Sequence, residues 1–151
     1  MTTVVKTNVK VIKTLNSLLR GECSAVESYE QALPLFKGQP QESGILRLRD
    51  DHWKVVDLLQ QHVIEHGGQP ALSSKPWGFL TAAVTGAAKL IGRHTTLKAL
   101  MLGEEHGIHT YENALENDEL PEECQQIIAD YLLPQAFRHQ DNLEMLLAST
   151  S

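Results

Sequence analysis

Four side chains in this 151-residue chain combine metal-ligand chemistry with an inward helical position: Glu22, His52, Glu104 and His139. Carboxylates and imidazoles are the donors that hold Fe, Zn or Mn. A buried carboxylate is costly unless it is paired, protonated or bound to a metal. Leu15, Leu18, Glu22, Ala25, Tyr29 and Ala32 advance by three and four residues, so Glu22 sits inside an apolar helical stripe. Glu104 sits the same way between Leu100 and Gly107. His52 falls on the stripe Ile45, Leu48, Val55, Leu59, and His139 on the stripe Leu132, Gln135, Leu143, Leu146. Around these four stand Tyr29, Arg49, Tyr111 and Gln135. Each tyrosine either donates to an inner carboxylate or fills the core with its hydroxyl paired. Arg49 is placed to pair with Glu22 or Glu104.

Glu22 and Glu104 belong to an internal repeat. Gly21-Glu22 through Tyr29-Glu30 to Ala32-Leu33 recurs 82 residues later as Gly103-Glu104, Tyr111-Glu112 and Ala114-Leu115. Nine of the 20 positions from Thr14 to Leu33 are identical to those from Thr96 to Leu115. Two carboxylates at equivalent places imply a site built on a pseudo-two-fold. The repeated glycines, Gly21 and Gly103, each cost about 1 kcal/mol against Ala inside a helix. They point to close helix approach beside the carboxylates.

Stepping outward, the positioning elements read as helices. Residues 1–7 form a tail. Helix 1 runs from Asn8 to Leu33 and is stopped by Pro34. Helix 2 starts at Ser43 as N-cap and ends at Gly67-Gly68, with Pro70 beyond. Residues 69–93 form a crossover containing a short apolar helix from Pro76 to Leu90. Helix 3 spans Thr95–Glu116, and helix 4 spans Pro121–Leu147 with a kink at Pro134. The chain is therefore all-α, with one domain over 8–148. Four long helices with one long connection between the second and third form the ferritin-like four-helix bundle arrangement.

Composition narrows the partners. A net charge of −6 and a pI near 5.6 argue against nucleic acid. No secretory signal opens the chain, and no apolar run is long enough for a transmembrane segment. Cys23 and Cys124 form no CxxC and read as reduced thiols of a cytoplasmic protein. A homo-oligomer such as a dimer and a small apolar ligand both fit. Trp77, Phe79, Leu80, Val84, Leu90 and Ile91 of the crossover are expected to cover the bundle.

Ferritin-like di-iron sites take one Glu from each of two helices and a Glu-x-x-His from each of the other two. Here the residue three before His52 is Arg49, and three before His139 is Ala136. Both bridging acids are missing, which disfavours conventional di-iron catalysis. Two readings stay open. Glu22, His52, Glu104 and His139 hold a single Fe, Zn or Mn ion, and any catalysis is then metal-dependent oxidoreduction. Alternatively the core is a metal-free Arg/Glu/His network, and the bundle acts through a partner or a small apolar ligand. His62-x-x-Glu65-His66 spells a zinc-protease pattern but runs straight into Gly67-Gly68, where histidines suit the helix C-terminus anyway. Glu105, His106 and His109 read as a solvated face.

The chain also resembles known families. Gly21-Glu22-x-x-Ala25-Val26-x-x-Tyr29, Pro76-Trp77, Ala87-Ala88-x-Leu90-Ile91-Gly92 and Glu104-Glu105 ahead of Tyr111 resemble the demethoxyubiquinone hydroxylases, ferritin-like di-iron monooxygenases. Gly67-Gly68-x-Pro70, Gly103-Glu104-Glu105 through Tyr111 to Leu115, Leu120-Pro121 and Arg138-His139 more closely resemble a bacterial family of ferritin-like four-helix proteins of unknown function, over residues 10–147. That resemblance implies the fold. Arg49 and Ala136 depart from the hydroxylases at positions such enzymes use for metal.

Overall fold

The computed structural model describes the backbone of residues 2–71 and 92–150, and side chains from Val9 onward within that range. Helix α1 spans Thr2–Ala32, α2 Glu42–Glu65 and α3 Arg93–Leu115. Helix α4 (Glu122–Ile127) passes through a π-helical turn, Ile128–Leu132, into α5 (Leu133–Ala148). Residues 2–7, expected as a tail, are helical, because no Gly or Pro interrupts them. The expected short helix 76–90 and the apolar crossover residues lie outside the described residues.

Local chemistry sets the ends. Pro34 cannot continue an α-helix, and α1 gives way at Leu33 to a 3-10 turn, Leu33–Phe36. Ser43 is not the N-cap of α2. Gln41 takes that position, and its side-chain amide donates to the Ser149 carbonyl at 3.0 Å, tying the start of α2 to the end of α5. Helix α2 ends in a Schellman turn: Gly68 N–H donates to Val63 O and Gly67 N–H to Ile64 O, each at 2.9 Å, with Gly67 at φ 81°. Pro134 does bring an irregularity. The turn before it widens, with Leu133 N–H reaching back five residues to Ile128 O, which makes room for the proline ring.

Two apolar clusters fix the topology. One joins Val11, Leu15 and Leu18 of α1 to Val55–Val63 of α2, Tyr111 and Ala114 of α3, and Cys124–Leu132 around the π turn. The other joins Tyr29 and Ala32 to Ile45 and Leu48, Leu97 and Leu100, and Leu143 of α5. The end of α1 therefore meets the start of α2 and the start of α3. So α1 and α2 are antiparallel, α3 runs antiparallel to α1 and parallel to α2, and α4–α5 returns antiparallel to α3. A parallel α2–α3 pair requires a connection as long as the bundle, which residues 66–92 supply. Among the described residues no helix is long and apolar enough to cross a membrane.

Two glycines test the packing in opposite directions. A Cβ on Gly68 would sit 2.6 Å from Ile12 Cγ2 and 3.0 Å from Val63 Cγ1, while one on Gly107 would meet nothing within 4 Å. Urea unfolding is expected to show Gly68→Ala destabilised by about 1–3 kcal/mol through overpacking. Gly107→Ala is expected to be stabilised by about 1 kcal/mol through helix propensity. Equal shifts in one direction would contradict this packing.

Candidate metal centre

Between the two apolar clusters lie Glu22, His52, Glu104 and His139, all buried. Each comes from a different long helix, α1, α2, α3 and α5. Tyr29 of the first repeat donates to Glu104 Oε1 of the second at 2.7 Å. Tyr111 of the second donates to Glu22 Oε1 of the first. The exchange follows from the antiparallel register: each tyrosine lies seven residues beyond its own glutamate, and helical side chains lean back toward the N-terminus. Burial and the neighbouring carboxylates push both phenol pKa values well above 10, so both stay protonated donors.

His52 lies between the carboxylates, with Nδ1 2.5 Å from Glu22 Oε2 and Nε2 2.7 Å from Glu104 Oε1. Burial alone disfavours its charged form, but Glu104 and then Glu22 outweigh that and hold its pKa well above the ordinary 6.5. Glu104 is the converse case. Burial favours its neutral acid, but the charge of His52, with His139 beside it, holds its pKa below the ordinary 4.5. The His139 ring meets the His52 ring edge-on at 4.8 Å between centroids. Its Nε2 is 3.0 Å from Asp51 Oδ2, and its Nδ1 points at Glu104 Oε1 from 3.3 Å without a hydrogen bond.

Thus Glu104 Oε1 is the meeting point of Tyr29, His52 and His139. Ligand atoms of His52, Glu104 and His139 all lie within 4.8 Å of one another. Glu22, expected beside them as a fourth ligand, stands outside that group, across the His52 ring. Asp51 was missed in the sequence, because it lies off the apolar stripe of α2 and gains its role only from α5. Arg49 does not join the core. Its Nε and Nη2 bond Asp50 Oδ1 at 3.2 and 3.0 Å, since a long cation next to an exposed acid stays at the surface rather than lose its hydration. The Arg/Glu network is therefore a His/Glu/Tyr network.

A cleft of about 120 Å³ opens onto this centre between α1, α3 and α5, lined by Ala25, Ala99, Gly103, Gly107, Leu132 and Ala136 among others. Gly103 does not mark close helix approach, since a Cβ there would meet nothing within 4 Å. It borders the cleft instead. Gln135 is half-buried and lines both this cleft and a polar surface pocket containing Asp51 and His139. His106 also lines the cleft, and burial followed by His109 lowers its pKa.

Bundle topology and buried centre together define a ferritin-like four-helix protein. Residues 10–117 match the family described as a domain of unknown function (DUF2383), and the chain belongs to that family. The match includes Glu22, His52 and Glu104 and ends before His139. Among solved structures the bacterioferritin of Rhodobacter capsulatus superposes with a TM-score of 0.72, over 93% of this chain and 84% of that chain, at 20% identity. That likeness is one of fold. The bacterioferritin is described as having a metal-free dinuclear site and a haem iron. No curated protein matches the chain.

In chelator-treated protein the two titrations set opposite limits. The raised His52 pKa stabilises the fold fully below the unfolded value near 6.5, and this is lost as pH rises through the folded value. The lowered Glu104 pKa stabilises fully above about 4.5, and this is lost as pH falls through the folded value. Their joint contribution is greatest between these two pH values. The stability difference between wild type and His52→Asn, read from urea midpoints, should shrink as pH rises above 6.5. A difference that grows with pH would refute the imidazolium assignment.

Proposed function

We propose that the centre binds one divalent ion of iron, zinc or manganese through His52 Nε2, His139 Nδ1 and Glu104, in a metal-handling or stress-related role. The observation behind this reading is His139 Nδ1, which is buried and faces Glu104 Oε1 at 3.3 Å without well-aligned hydrogen-bond geometry. Two ligands about 2.1 Å from a tetrahedral ion stand about 3.4 Å apart. Each imidazole also has an outer acid on its other nitrogen, Glu22 for His52 and Asp51 for His139. Outer acids of this kind fix the tautomer of metal-bound histidines and raise their basicity.

Charge supports the same reading. Glu22, Glu104 and Asp51 bring three carboxylates to two imidazoles, and a dication offsets more of that charge than one imidazolium does. A second ion, as in the dinuclear site named for the bacterioferritin, would need further bridging acids. Arg49 and Ala136 stand where Glu-x-x-His would supply them. Bound here, the ion supplies Lewis acidity, and iron or manganese adds a redox couple. The protein's part is to hold both rings and keep Glu104 ionised, and the ion would take the place of the proton that Glu104 and Glu22 favour on His52.

The cleft favours a second component, a small apolar ligand beside the centre. A dry apolar cavity of about 150 Å³ accepts benzene, and this cleft approaches that size. Phenol titrated into labelled protein should shift the amide resonances of Gly103 and Gly107, and Ala136→Leu should abolish the shift. Unmoved resonances would remove the ligand from the proposal.

For the metal, protein purified without added metal is analysed for bound ions, then stripped and titrated with Co²⁺. His139→Ala and Glu104→Gln should each bind one ion fewer per chain than wild type. Glu22→Gln and Asp51→Asn should weaken that ion by about 10–100-fold while the helical circular dichroism is retained. Wild-type metal content in His139→Ala and Glu104→Gln would overturn the assignment.

A further inference from the structure

A second convergence of ligand-type side chains lies away from the buried centre, where the last turn of α2 meets the first turn of α4. The His62 side chain is 9% exposed, and its Nδ1 is buried without a hydrogen-bond partner. That nitrogen faces Glu65 Oε2 at 3.6 Å. Glu123 of α4 completes the group: one ligand atom from each of His62, Glu65 and Glu123 lies within 4.8 Å of the other two. A buried ring nitrogen with no donor or acceptor is unusual in a folded protein. Two carboxylates brought to it repel each other unless something positive stands between them.

From this we infer a second divalent-cation site, of the zinc type, formed by His62 Nδ1, Glu65 and Glu123. One imidazole nitrogen and two carboxylate oxygens are a three-ligand zinc set that leaves a position to water. Both glutamates are exposed, so the ion exchanges with solvent. The carbonyl end of α2 adds negative potential beside it. The sequence pattern His62-x-x-Glu65-His66 is used only in part. His66 Nδ1 is 2.7 Å from the backbone oxygen of His62, which turns it away from the site, and Glu123 takes the third place. The ion clamps the start of α4 to the end of α2. Folding energy gained this way depends on zinc concentration.

The test uses the full chain stripped of metal and titrated with zinc against a chelating dye, with thermal unfolding in parallel. Glu123 is exposed, so Glu123→Gln keeps the fold and removes one ligand charge. It should bind one zinc fewer per chain than wild type, or bind that zinc at least tenfold more weakly. Glu65→Gln should do the same. In a His139→Ala background, zinc should still raise the Tm, and adding Glu123→Gln should abolish the rise. Wild-type stoichiometry and affinity in Glu123→Gln and Glu65→Gln would overturn the site. Failure of the buried centre reads out separately, as the full wild-type zinc stoichiometry kept when His139 alone is changed.

Discussion

Two carboxyl groups must be satisfied by hydrogen bonds in the middle of an apolar bundle, and the fold is arranged around that constraint. Glu22 and Glu104 lie between two apolar clusters, largely withdrawn from the water that would ordinarily solvate them. Isolated buried carboxylates would take up protons. Here each receives a tyrosine hydroxyl from the opposite repeat and one nitrogen of the same imidazole. A half-satisfied network of this kind would be worse than a hydrocarbon core. The network therefore dictates helix register: α1 and α3 must run antiparallel with their glutamates level, and α2 must place His52 between them.

This constraint also explains how the apolar core is divided. Tyr29 packs in one cluster and Tyr111 in the other, and each sends its hydroxyl inward to the polar layer. The rings act as the two walls of the centre. The third wall is thinner. On the α1–α3 side, Gly103 and Gly107 leave the cleft unfilled, and Ala136 of α5 adds little. An antiparallel pair of repeats would pack most simply with large residues at that seam. Small residues instead leave access to Glu104 while the tyrosines seal the layer above and below.

Much of this was legible in the sequence, because a helical stripe interrupted by Glu or His is a strong signal. The stripes placed Glu22, His52, Glu104 and His139 inside, and turn residues gave four helices with one long connection. What the sequence hid was whatever depended on a second helix. The exchange of tyrosines between repeats needs the antiparallel register. Asp51 looks like ordinary surface charge until α5 brings His139 to it. Arg49, spaced three residues from His52, has the position of a core partner, but an adjacent acid satisfies it at the surface. A glycine repeated beside a carboxylate is equally consistent with close contact and with a void, and at Gly103 the void holds.

At Glu104 Oε1 the proposed metal would take the place that a proton now holds. Tyr29, His52 and His139 all address that single oxygen. With His52 doubly protonated, its Nε2–H fills the gap and the centre is a carboxylate–imidazolium–carboxylate chain. Removing that proton leaves Glu22 and Asp51 beside the outer nitrogens of the two rings. It leaves His52 Nε2 and His139 Nδ1 as two lone pairs facing one carboxylate, which is an electron-rich concavity that only a cation relieves. Metal binding at such a centre would therefore be a proton exchange, so acidity would compete with the ion directly. The outer acids decide how hard that competition is. Glu22 keeps the Nδ1 proton of His52 in place, and Asp51, partly exposed, keeps the Nε2 proton of His139. One ring is thereby oriented from inside the bundle and the other from its surface. The surface-linked ring is the one whose inward nitrogen makes no well-aligned hydrogen bond, so on the proposed reading His139 would offer its lone pair directly, whereas His52 would first have to give up a proton.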